Sequence, residues 1–113
     1  MDLGLQGKIA LLTGASSGLG FATAKVLAEE GARIAINARD EERLSAAGDE
    51  LAKTGADVIS LPGDVTDPET PAKLVGATLA VLGGLDLLFT NAGGPPPASF
   101  EDVTEEMWQD GIA

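Results

Sequence analysis

Gly14, Gly18 and Gly20 fall within the stretch Leu12-Thr13-Gly14-Ala15-Ser16-Ser17-Gly18-Leu19-Gly20, and an alanine and two serines separate the first glycine pair. Residues of these types, so spaced, suit the capture of an anion by backbone. A helix N-terminus leaves unpaired N–H groups and a partial positive charge, and both attract negative groups. Gly14 permits a tight turn at no steric cost. Gly18 lets the backbone approach a ligand with no Cβ in the way. Gly20 lets the following helix pack closely, and Ser16 and Ser17 offer hydroxyl donors. The spacing is Gly-x-x-x-Gly-x-Gly, which is not the common dinucleotide fingerprint. It is not a Walker loop either, because no Gly-Lys-Ser/Thr follows. Taken alone, the glycines fit a purely structural turn equally well.

The loop needs elements to aim it. Residues 8–13 are a short apolar run ending at the glycine turn, which predicts a buried strand. Residues 18–30 carry Ala24, Leu27 and Ala28 at helical spacing, and Gly31 follows where a left-handed residue ends a helix. Residues 33–37 predict a second strand. Residues 40–54 predict an amphipathic helix with Leu44, Ala47, Leu51 and Ala52 on one face. Residues 57–61 predict a third strand, closed by Pro62-Gly63. A third helix opens at Asp67-Pro68 or at Thr70-Pro71, both N-cap and N1 pairs, and runs to about Leu82. Residues 85–90 predict a fourth strand, a Gly93–Pro97 loop follows, and Thr104 reads as the N-cap of one more helix. Strands alternating with helices imply a parallel sheet with helices on its faces and right-handed crossovers. The expected class is α/β, in a single domain over residues 1–113.

Composition narrows the function classes. The net charge of −11 repels nucleic acid and anionic membranes, so neither is expected as a partner. It serves solubility, or alternatively a salt-adapted host. An anionic ligand would then need a local basic residue. There is no cysteine, so disulfides and thiolate metal sites are excluded, and the composition fits a reducing compartment. Histidine is also absent, which removes imidazole as base or ligand. No apolar run is long enough for a membrane span, and the N-terminus lacks the apolar region of a secretory signal. The cytoplasm is the expected location.

Three motifs in order, each at the C-terminal end of a predicted strand, give the chain a family likeness. They are Thr13-Gly14-x-x-x-Gly18-x-Gly20, Gly63-Asp64-Val65, and Asn91-Ala92-Gly93. The chain resembles the short-chain dehydrogenase/reductase family, and within it the bacterial 3-oxoacyl-carrier-protein reductases. The resemblance implies a Rossmann-type doubly wound sheet, here of about four strands in the order 3-2-1-4. It implies that Gly14, Ser16, Ser17, Gly18, Leu19 and Gly20 hold the pyrophosphate and adenosine ribose of a dinucleotide. Asp64 and Val65 would border the adenine, with Asp64 accepting from its amino group. Asn91, Ala92 and Gly93 would line the middle of the cofactor, and Thr90 stands where the family has another asparagine. Members preferring NAD(H) tend to carry an acid after the second strand. Here Ala38 takes that place and Arg39 follows it. A guanidinium there can grip a 2′-phosphate by charge-assisted hydrogen bonds, so NADP(H) is favoured over NAD(H). The alternative is a solvated Arg39 paired with Asp40 or Glu42.

The family transfers hydride between the nicotinamide and a carbonyl or alcohol, with a tyrosine, a lysine and a serine as its catalytic set. This sequence contains no tyrosine. The resemblance covers nearly the whole chain but only the front half of the family's usual length. The expectation is a truncated, cofactor-binding portion with no catalytic residue of its own, inactive alone, its carbonyl or alcohol substrate belonging to a complete enzyme. Asp64 and Asp86 read as structural or cofactor contacts, and Glu101, Asp102, Glu105 and Glu106 as a solvated helix start. Two alternatives stand beside this: a stand-alone nucleotide-binding module, or an inert fragment. With the order 3-2-1-4 the fourth strand is an open apolar edge, which invites self-association or pairing with a full-length relative.

Overall fold

The computed structural model describes residues 4–90. Their elements are β1 (Ile9–Leu12), α1 (Gly18–Glu29), β2 (Arg33–Ala38), α2 (Glu41–Ala52), β3 (Val58–Pro62), α3 (Thr70–Leu82) and β4 (Leu87–Phe89). The strands form one parallel sheet in the order β3-β2-β1-β4. The Gly93–Pro97 loop and the helix expected from Thr104 lie outside the described residues.

Alternation along the strands sorts the core into two layers, as a parallel sheet covered on both faces requires. Ala10, Leu12, Ile34, Ile36 and Ala38 face α1 and α2, where they meet Ala24, Ala28, Leu44, Ala47 and Leu51. Ile9, Leu11 and Ala35 face α3, where they meet Leu74 and Leu82. Burial of each Leu or Ile contributes about 1.5–3 kcal/mol. In α1, Gly20, Ala24 and Ala28 are the buried positions, so a stripe of small residues brings the helix close to the sheet.

Helix ends follow local chemistry. Asp40 caps α2, its Oδ1 accepting from the Glu42 and Arg43 amides at 3.0 and 3.2 Å. The inward face of α2 is Leu44, Ala47, Gly48 and Leu51. Ala52, expected on that face, is exposed, because the next residue after Leu51 turns about 100° away. The start of α3 matches neither expected pair. Glu69 is the N-cap, and Thr70 and Pro71 are its first helical residues. Asp67 instead makes a separate turn. Its carboxylate accepts from the Glu69 amide at 3.0 Å and its carbonyl from the Thr70 amide at 3.0 Å, and the helix begins only after that turn.

β4 is shorter than its apolar run. Leu85 and Asp86 precede it, and Asp86 exchanges two bonds with Ile9. The Asp86 amide donates to the Ile9 carbonyl at 2.8 Å, and the Asp86 carboxylate accepts from the Ile9 amide at 2.9 Å. Asp86 is therefore a structural clamp at the far end of the sheet from the glycine loop.

Candidate functional site

The C-terminal ends of β1, β2 and β3 open into a cleft of about 650 Å³, lined by the glycine loop, the end of β2 and the loop after β3. Gly14 and Gly18 both have φ of +61°, a left-handed conformation that favours glycine. Gly20 is buried beneath the loop, and a Cβ on it would overlap the Gly14 carbonyl oxygen. Ser17 is the N-cap of α1 in extended backbone, and its side chain makes no capping bond. The first turn of α1 thus presents its N–H groups at the cleft wall beside Ser16, Ser17 and Gly18. Leu19 lies on that turn, 69% exposed, and does not line the cleft.

Arg39 and the pair Asp64-Val65, far from it in sequence, line the same cleft. Arg39 pairs with neither Asp40 nor Glu42. Its guanidinium lies 3.8 Å from the Asp64 carboxylate, and the Asp40 carboxylate pairs with Arg43 at 3.8 Å. Asp64 is held in a local turn. One carboxylate oxygen accepts from the Thr66 hydroxyl at 2.6 Å and the Thr66 amide at 2.9 Å. Those two bonds, the hydroxyl's foremost, hold the Asp64 carboxyl below its ordinary value against a small opposing effect of burial, and Arg39 adds to the lowering. Asn91, Ala92 and Gly93 lie outside the described residues.

Three cleft residues escaped the sequence reading: Thr66, which holds Asp64, together with Arg43 and Asn37. Arg43, at the start of α2, adds a second guanidinium to the wall that holds Arg39. A pattern of Arg four residues after Arg39 was the available signal. Asn37 lies at the end of β2, 1% exposed, with its side chain bonded across to the end of β3. A polar amide directly after the apolar run Ile34-Ala35-Ile36, still within the strand, was its signal.

A larger recess, about 870 Å³, lies at the other end of the sheet, lined by Gln6, Glu29, Glu30, Arg33 and Asp57 among others. Size does not decide between the two. The recess faces the C-terminal ends of α1 and α2, which carry partial negative charge, and adds three acids to one arginine. The cleft faces the N-terminal end of α1 and sets two arginines, Arg39 and Arg43, against two carboxylates, Asp64 and Asp40. With balanced side-chain charge and a helix N-terminus, the cleft suits an anion better than the recess, which carries an excess of acid. Among the described residues no cluster of acids could hold a metal ion, and no helix is long and apolar enough to cross a membrane.

Known proteins share this fold. The family model described as "short chain dehydrogenase" matches residues 8–113. Glucose 1-dehydrogenase of Gluconobacter oxydans is 40% identical over 104 residues, covering 91% of this chain and 39% of that protein. L-sorbose reductase of Gluconobacter frateurii, solved with NADPH and L-sorbose, superposes with a TM-score of 0.80 at 39% identity, covering 97% of this chain and 42% of that one. An NAD+-bound xylitol dehydrogenase superposes with a TM-score of 0.72 at 36% identity, covering 74% of this chain and 32% of that one. The chain thus spans about two-fifths or less of the length of these relatives.

Proposed function

The chain belongs to the short-chain dehydrogenase family, and on that premise we propose that its C-terminal cleft binds NADP(H) in preference to NAD(H). The observation that carries this reading is the exposed Arg39 guanidinium on the same cleft as the N-terminus of α1. The residues present fit such a cofactor. Left-handed Gly14 and Gly18 shape the loop, and Gly20 under Gly14 keeps it low against the helix. The α1 N–H groups, with Ser16 and Ser17, meet the pyrophosphate. Arg39, with Arg43 beside it, meets a 2′-phosphate, and no carboxylate stands at Ala38 to repel one. Asp64 and Val65 border the base. Asn91, Ala92 and Gly93 continue the site toward the nicotinamide, an assignment that rests on the family likeness.

When bound, the cofactor supplies hydride transfer to or from a small carbonyl or alcohol substrate. The residues of this chain bind and orient it. No tyrosine is present to act as the acid/base, so we assign these residues the cofactor-binding share of the reaction, not turnover alone, and place the protein in the cytoplasm. The narrower likeness to 3-oxoacyl-carrier-protein reductases rests on the sequence reading.

A second reading concerns association. Among the described residues β4 bonds only to β1, and Leu87 on it is 39% exposed. A module that binds nucleotide, or an inactive one, could pair this edge with itself or with a longer relative. Titration of NADPH and NADH emission, with light scattering in parallel, tests both readings. Saturable binding, tighter for NADPH, supports the first. No binding by a self-associated species overturns it and supports the second.

A further inference from the structure

We infer that Asn37 is a positioning residue that locks the two walls of the cleft to each other. Asn37 is the last residue but one of β2 and is paired with Leu61 in the sheet. Its side chain points to the α3 face, the face of Ala35. Asparagine is depleted in strands, and a buried amide is costly unless bonded. Here both donor positions are used. The Nδ2 group donates to the Leu61 carbonyl at 2.8 Å and to the Gly63 carbonyl at 3.1 Å. The backbone carbonyl of the same residue accepts from the Ala15 amide at 2.9 Å.

Each of these bonds fixes a peptide that shapes a wall. The Gly63 carbonyl belongs to the peptide leading into Asp64, so holding it sets the direction from which Asp64 meets Arg39. The Ala15 amide belongs to the peptide that begins with the Gly14 carbonyl, and that carbonyl lies against Gly20. A chain of contacts therefore runs from Gly20 through Gly14, Ala15, Asn37 and Gly63 to Asp64. Neither near-isostere can replace the amide. Aspartate would set a carboxylate against two carbonyl oxygens, and leucine would leave both without their donor. The consequence for ligand binding rests on the nucleotide reading above, but the coupling of the two loops does not.

The test is amide hydrogen exchange on the full chain, wild type against Asn37→Leu, without nucleotide. The expected result is faster exchange by about tenfold or more at both residues 15–18 and residues 64–66. Ala32 and Asp57, at the opposite end of the strands, should be unchanged. Acceleration confined to residues 64–66, or uniform across the chain, overturns the proposal. If Asn37→Leu does not fold, Asn37→Thr, which keeps one donor and a strand-favouring shape, is read by the same criteria. NADPH and NADH titrations of the same variants complete the test. A coupled pair of loops also predicts weaker NADPH binding by about tenfold. A wild type that binds neither nucleotide would overturn the proposed function, and the exchange pattern would still decide the role of Asn37.

Discussion

The guanidinium of Arg39 and the carboxylate of Asp64 lie 3.8 Å apart, joining the end of β2 to the loop after β3. Arg39 is largely exposed and Asp64 partly so, and water therefore screens the pair and leaves Arg39 available to a stronger anion. A phosphate that accepts two parallel N–H bonds is such an anion.

Arg39→Ala should therefore weaken NADPH binding about tenfold to a hundredfold, the range for losing a charged hydrogen bond. NADH binding should change little, because it carries no 2′-phosphate. Added salt should weaken NADPH binding more steeply in the wild type than in the variant. Nucleotide emission titrations at two ionic strengths measure all of this. An equal loss for both nucleotides would show that Arg39 does not read the phosphate.

Asp64 gives a pH signature. Its carboxyl is held below the ordinary value of 3.8, first by the Thr66 hydroxyl, then by the Thr66 amide, and also by Arg39. A depressed carboxyl stabilises the fold fully above its unfolded value, and that stabilisation is lost as pH falls through the lower folded value. Asp64→Asn should lower the thermal midpoint by a constant amount from about pH 5 to about pH 8. Below the ordinary value the two curves should converge. Midpoints recorded across that range by circular dichroism would contradict this if the gap widened in acid.

Two glycines separate packing from conformation. Gly18→Ala puts a side chain in open space but at φ +61°, so it should cost about 1–2 kcal/mol of stability. Gly20→Ala drives a Cβ into the Gly14 carbonyl, and backbone cannot move aside as a flexible side chain can. It should cost about 3 kcal/mol, the upper end for overpacking, and disturb the loop itself. Urea unfolding of both variants would settle the order, and a Gly20→Ala protein as stable as Gly18→Ala would refute it.

Asp86→Ala should destabilise the protein by about 1–3 kcal/mol, because the part-buried Ile9 amide loses its carboxylate acceptor. Asp86→Asn keeps an acceptor and should cost less. Neither should alter the preference between NADPH and NADH, since Asp86 lies at the other end of the sheet. Urea unfolding paired with nucleotide titration checks both halves.

Much of this fold was legible in residue order alone. Apolar runs at 8–13, 33–37 and 57–61, each followed by a helical pattern, could be satisfied only by a sheet with helices on its faces. All three became strands of the parallel sheet. The positions of Gly14, Gly18 and Gly20 were legible for the same reason, because φ and close packing are local constraints that only glycine meets. Element ends were less so. Asp67-Pro68 and Thr70-Pro71 carry equal capping chemistry, and the turn between them decided the start of α3.

What the chain's order determined, then, is the alternation of elements, the conformation of the glycine loop and the presence of an arginine after β2. What only the tertiary structure decided is which distant groups meet. Arg39 found Asp64 and not its neighbours Asp40 or Glu42. Asn37 found the carbonyls of Leu61 and Gly63. Local preferences act over a few residues along the chain, whereas these contacts are set by strand order and register, which bring the ends of β1, β2 and β3 to one edge.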